Sequence, residues 1–117
     1  YRLANLTAFV DRNNIQIDGM TEDIMPIEPL RAKWEAFNWH VIDCDGNSMQ
    51  AIIDAVHEAK AIFEKPTVVL LHNVPGRGVS FMEGKFEWHG IPPNAEQAAI
   101  ALRELRTLGG RIRAEHE

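Results

Sequence analysis

Thr67-Val68-Val69-Leu70-Leu71 is the stretch on which the fold turns. Lys65-Pro66 sets it off from what precedes, and no polar residue alternates within it, so it predicts a strand buried on both faces, as in a parallel sheet covered by helices. Upstream, Met49, Ile52, Ile53, Val56 and Phe63 share one face of a predicted helix that is capped by Asn47 or Ser48 and runs to about Phe63. Before it, Trp39 to Ile42 reads as a second strand closed by an Asp43-Cys44-Asp45-Gly46 turn. Pro29 to Phe37 reads as a short helix with Leu30, Trp34 and Phe37 inward. Leu6 to Val10 is a further buried strand, stopped by the polar run Asp11-Arg12-Asn13-Asn14, and Ile15-Gln16-Ile17 alternates up to the turn signal Asp18-Gly19.

Downstream of the central strand, regular periodicity vanishes from His72 to Pro93, which holds Gly76, Gly78, Gly84 and Gly90 with Pro75, Pro92 and Pro93. Long ordered loops of this kind carry function. Asn94 then caps a helix striped by Ala98, Ala101, Leu102, Leu105 and Leu108 and ended by Gly109-Gly110. The order β-α-β-α-β-loop-α predicts an α/β fold: a parallel sheet with flanking helices, and ligands at the carboxyl ends of the strands. Asp11 to Asn14 and His72 to Gly90 both follow strands, so they belong on one edge of that sheet.

The 117 residues suffice for one domain, 1–117, with 110–117 expected to be a flexible tail. Twelve Lys and Arg against 17 Asp and Glu leave a formal charge of −5, which excludes nonspecific nucleic-acid binding and adhesion to an anionic membrane. Cys44 is the single cysteine, so no internal disulfide forms and the expected setting is a reducing one, the cytoplasm. The opening at Tyr1 runs almost at once into a strand pattern, which predicts a piece of a larger fold.

Three segments hold groups suited to ligands. Asn13-Asn14 offers hard oxygen donors of the kind Mg²⁺ or Ca²⁺ accepts, with Asp11 the nearest carboxylate; the plainer reading is a turn pair. Asn73 to Ser80 permits close backbone approach, with Arg77 placed to meet a phosphate, or is simply a turn with a solvated arginine. His89, between Trp88 and Gly90, is either a proton-transfer and phosphate-binding group or a structural loop residue. His40, His57, His72, His89 and His116 lack the spacing of a zinc site, and Cys44 reads as a small core residue.

In combination these segments resemble the thiamine-diphosphate-binding part of transketolases, above all the separately encoded amino-terminal subunit of prokaryotes. The resemblance runs through Leu3 to Gly19, Phe37 to Ile42, Lys65-Pro66-Thr67, Gly76-Arg77-Gly78-Val79-Ser80-Phe81-Met82-Glu83 and Trp88-His89-Gly90, in that order. By this resemblance the chain is the carboxyl-terminal part of a larger thiamine-diphosphate-binding domain. Asn13 and Ile15 match the positions that give the divalent cation a side-chain and a backbone oxygen. Ile17, Val74 and Gly76 match positions beside the cofactor, and His89 matches the histidine facing the diphosphate and the substrate hydroxyls.

The implied activity is transfer of a two-carbon ketol unit from a ketose phosphate to an aldose phosphate, with thiamine diphosphate and Mg²⁺ or Ca²⁺ as cofactors, in carbohydrate metabolism of the pentose phosphate type. The family's Gly-Asp-Gly, whose aspartate is the charged metal ligand, does not occur in this sequence, and Pro75 stands where the family has Lys or Gly. The resemblance therefore implies a complementary transketolase section carrying the activating glutamate and little or no activity in the chain by itself; a strand edge or apolar helix face left bare where the sheet is cut before Leu6 predicts a homo-oligomer. Two rival readings are a fragment of another thiamine-diphosphate enzyme, such as a deoxyxylulose-phosphate synthase or a dehydrogenase E1 component, and a non-catalytic α/β interaction module.

Overall fold

The computed structural model describes residues 2–107. Its centre is a three-stranded parallel sheet formed by β1 (Thr7–Arg12), β4 (His40–Asp45) and β5 (Thr67–His72), in the order β1-β5-β4. The central strand is the apolar stretch that follows Lys65-Pro66, and Val68 and Val69 within it are 0% exposed. On one face Val68, Leu70 and Val41 pack with Ala8, Val10, Leu30, Trp34 and Trp39. Trp34 belongs to α2 (Leu30–Ala36) and meets Trp39 edge to face at 5.0 Å. The opposite face joins Val69 and Ile42 to Ala55 and Ala59 of α3 (Met49–Lys60), with Cys44 and Leu71 at its margin. Helices thus cover both faces, as the unbroken apolar strand required. Burying each large aliphatic side chain there contributes roughly 1.5–3 kcal/mol.

Several boundaries differ from the sequence reading. Asp11 and Arg12 do not stop β1; they extend it, pairing with Leu71 and His72. Asp43, Cys44 and Asp45 form no turn but the second half of β4, in register with Leu70, Leu71 and His72. Polar residues are tolerated there because the ladder satisfies their backbone while their side chains reach the sheet's carboxyl edge. The helix faces differ too. Phe37 is 82% exposed and Met49 71% exposed, and Ile53 and Phe63 also face outward, whereas Ala55 and Ala59 touch the sheet. Ser48 is the cap of α3, accepting from the Ala51 amide at 3.3 Å.

After β1 the chain forms a hairpin of β2 (Ile15–Gln16) and β3 (Gly19–Met20), then a single turn of helix, α1 (Thr21–Ile24). The long loop after β5 is not wholly irregular: it holds a 3₁₀ turn at Phe86–His89. α4 (Ala95–Thr107) opens with Asn94 and Gln97 capping each other reciprocally, both bonds 2.9 Å. Of its predicted stripe, Ala101 is buried while Leu102 and Leu105 are exposed. Leu108, Gly109-Gly110 and the tail predicted over 110–117 lie outside the described residues. Among the described residues no helix is long and apolar enough to cross a membrane.

Candidate functional site

Because the three strands are parallel and in register, Arg12, His72 and Asp45 end side by side. Asn13-Asn14, Asn73-Val74 and Gly46-Asn47 therefore leave the sheet at the same rim, the arrangement at which open α/β sheets collect ligands. Specific bonds hold these exits together. Asn73 donates through Nδ2 to Asp11 at 2.6 Å, its backbone N–H donates to the Arg12 carbonyl at 3.3 Å, and Val74 N–H donates to Asn47 Oδ1 at 2.7 Å.

Asn13 Oδ1 accepts from the Ile15 amide at 3.1 Å, an Asx turn that starts the hairpin. Asn14 takes a positive φ of 64° so that its carbonyl can receive Thr21 N–H at 2.9 Å. Ile15 is buried, and Ile17 at the tip of the hairpin is exposed. Beneath this turn Arg12 is 5% exposed and donates through Nε to Glu28 at 3.0 Å and through Nη2 to Glu22 at 2.8 Å. Glu28 also accepts from Leu30 N–H at 2.7 Å, and that bond, then Arg12, holds its carboxyl below the usual range.

The loop after β5 folds back on itself. Val79 N–H donates to Gly76 at 3.1 Å and Gly84 N–H to Pro75 at 2.9 Å. Gly76 has a φ of 68°, and a Cβ there would stand 2.8 Å from Met82, so only glycine fits. Phe81 packs edge to face on Trp88 at 5.2 Å, and the Phe86–His89 turn lies against the β2–β3 hairpin. Asn13, Ile15, Ile17 and His89 are thereby carried by two segments in contact at one rim, with Val74 and Gly76 on the loop that leaves β5 there. α4 fastens the loop from behind, Glu104 accepting from the Ser80 amide and hydroxyl, both at 2.7 Å.

The sequence gives no sign of Arg31's role, reads Asp43 as a turn residue or one of a carboxylate pair with Asp45, and marks His72 only as lacking zinc spacing. His72 Nε2 stands 2.7 Å from Asp43 Oδ1, and Arg31 bonds the other oxygen of that carboxylate. Burial pushes the Asp43 carboxyl up, but its bonds with His72 and Arg31 prevail and hold it below its ordinary value. The available signal was strand alternation: Asp43 and His72 fall on one face once β4 and β5 are continued to their observed ends. Cys44 is the small core residue expected, its thiol pushed up by burial and then by Asp45 and Asp43.

Comparison with known proteins gives the family of the chain. A profile described as "Transketolase, thiamine diphosphate binding domain" matches residues 1–109. The chain belongs to this transketolase family. It is 44% identical over 108 residues to the 6-deoxy-6-sulfo-D-fructose transketolase subunit SqwG of Clostridium sp. strain MSTE9, covering 92% of this chain and 39% of that protein. It is 42% identical over 105 residues to an apulose-4-phosphate transketolase subunit of Phocaeicola vulgatus, covering 90% and 37%. The structure of Pichia stipitis transketolase with sedoheptulose-7-phosphate superposes with a TM-score of 0.77 at 35% identity, over 86% of this chain and 15% of that one. The chain thus spans less than two fifths of its separately encoded relatives, which are transketolase subunits.

The transketolase rim fits the family's cofactor in part. Asn13 Oδ1 accepts from Ile15 and, as a carbonyl oxygen, has a second lone pair to offer, and Gly76 and Gly78 both take positive φ in the loop that leaves β5. The donors offered to a cation are neutral, however, and no group of three His, Cys, Asp or Glu side chains suited to a metal occurs among the described residues. Asp11, the nearest carboxylate, is engaged by Asn73. A tightly held Mg²⁺ therefore needs a carboxylate from elsewhere.

Proposed function

We propose that this chain is part of a transketolase that moves a two-carbon ketol unit from a ketose phosphate to an aldose phosphate. The observation that carries the proposal is the contact between the Phe86–His89 turn and the hairpin that Asn13 opens, in a chain that matches a thiamine-diphosphate-binding domain. Thiamine diphosphate, when bound, supplies the nucleophilic carbon and the electron sink that ketol transfer requires. The chain's own residues orient and neutralise. Asn13 through Oδ1 and Ile15 through its carbonyl hold the cation that screens the diphosphate, while Ile17, Val74 and Gly76 shape the wall beside the cofactor. His89 would hydrogen-bond the diphosphate or a hydroxyl of the donor sugar, or assist proton transfer at that hydroxyl.

The activating glutamate and the cation's carboxylate come from a complementary transketolase section; the relatives named as subunits support that partner. On its own the chain is inactive and self-associates. The setting we assign is the cytoplasm, supported by a lone cysteine that is free. The two subunit relatives act on different sugars by name, so the donor is assigned only as a ketose phosphate.

The test is calorimetric titration with thiamine diphosphate and Mg²⁺, paired with a two-carbon transfer assay, on the chain alone and on the complete assembly. Binding and turnover are expected in the assembly and neither in the isolated chain. His89→Ala in the assembly should lower kcat by about 10²-fold, the ordinary size of a lost proton-transfer group. Micromolar affinity in the isolated chain would refute its failure to bind alone, turnover by it would refute its inactivity, and an assembly without ketol transfer would refute the function.

A further inference from the structure

Asn73 is the residue on which the rim converges, and it is neither a cofactor nor a metal position in the family resemblance. Its Nδ2 reaches Asp11 at the end of β1, and its backbone N–H bonds the Arg12 carbonyl. Its Oδ1 is buried without a hydrogen-bond partner, against Gly46 at the end of β4. A Cβ on Gly46 would stand 1.9 Å from that oxygen, so the glycine is a notch shaped for this amide. The orientation of the amide follows from charge: the Asp11 carboxylate only accepts, so Asn73 must present its NH₂ there and forgo a partner for its carbonyl. The next residue, Val74, is clamped to Asn47.

We infer that Asn73 is a positioning residue which, by bonding Asp11, sets the spacing between the Asn13 turn and the glycine-rich loop and so determines cofactor affinity. The inference rests on the proposed function. It follows from connectivity: Asp11 is two residues from Asn13, and Asn73 is three from Gly76, so one short bond ties the cation turn to the cofactor wall. The same bond occupies Asp11, which keeps the cation on Asn13 and Ile15 and away from the strand end.

The test is a double-mutant cycle on the complete assembly, with the dissociation constants of thiamine diphosphate and Mg²⁺ read by calorimetry. Asn73→Ala and Asp11→Ala should each weaken cofactor binding by about tenfold, and the double variant should be no weaker than either single one, because both remove the same bond. At saturating cofactor kcat should remain within about twofold of the unsubstituted assembly, since only uniform binding is lost. Asp11→Asn, which keeps an acceptor oxygen for Asn73 Nδ2 and truncates nothing, should hold affinity to within about threefold of the unsubstituted assembly. Additive losses, or Asp11→Asn no better than Asp11→Ala, would overturn the inference, as would Asn73→Ala binding like the unsubstituted protein. An unsubstituted assembly that takes up no thiamine diphosphate would overturn both this inference and the proposed function.

Discussion

Asp43 joins a histidine from β5 and an arginine from α2 at the carboxyl end of the sheet, and its bonds outweigh the cost of its burial. A carboxyl whose folded value lies below the ordinary 3.8 binds its proton more weakly than in the unfolded chain. Its contribution is therefore complete above roughly pH 5 and is lost as the pH falls through the depressed folded value. Asp43→Asn should cost on the order of 1 kcal/mol near neutrality, the pair being partly exposed, and should flatten the acid limb of stability against pH. Urea denaturation across that limb checks it, and an unchanged limb would count against the assignment. At this scale the Asx turn of Asn13 was legible, because the side chain serves its own neighbours. The roles of Asn73, Asp43 and His72 were not, since their partners lie 62 and 29 residues away in the chain.

At the scale of elements, strand positions were legible in outline and helix faces in part: Leu30 and Trp34 of α2 pack on the sheet as their spacing predicts. Unbroken apolar character found β5, but the polar ends of β1 and β4 hid their last residues, which pair through backbone that no side chain reveals. In α3 Ile52 and Val56 of the predicted stripe are half-buried, while Met49 and Ile53 turn outward; the seat on the sheet is made by Ala55 and Ala59, small enough to bring the helix axis close to Ile42 and Val69. Periodicity weighs hydrophobic bulk and cannot see that a sheet already full of Val and Leu wants a small partner. The consequence is a reversed order of sensitivity. Ala55→Leu should destabilise by about 1–3 kcal/mol through overpacking. Ile53→Gln, on the outward face, should stay within about 0.5 kcal/mol. Denaturant midpoints at unchanged m-value check both, and equal effects would mean that α3 is seated differently.

As a whole the molecule is a plate, 51 × 43 × 17 Å, with a radius of gyration of 17.4 Å. A compact chain of this length measures roughly 13 Å. It exposes 8517 Å² at a mass of 13.2 kDa. A compact monomer of that mass exposes about 6,400 Å², so the chain carries more surface than a closed fold of its mass. Its composition agrees: Phe37 is 82% and Phe63 83% exposed, and β1 and β4 are each paired on one side only among the described residues. Phe37 ends α2 just before β4, and Phe63 follows α3 just before β5, so both lie at the amino end of the sheet, opposite the ligand rim. Apolar patches and unpaired strand edges on this scale associate in water. The 117-residue chain alone should therefore sediment as concentration-dependent oligomers, and Phe37→Glu with Phe63→Glu should shift it toward monomer without weakening the sheet. The complete assembly should be insensitive to that pair only if its own contacts cover the same end. Sedimentation velocity over a range of concentrations decides it, because a chain that stays monomeric throughout must bury this surface in some other way.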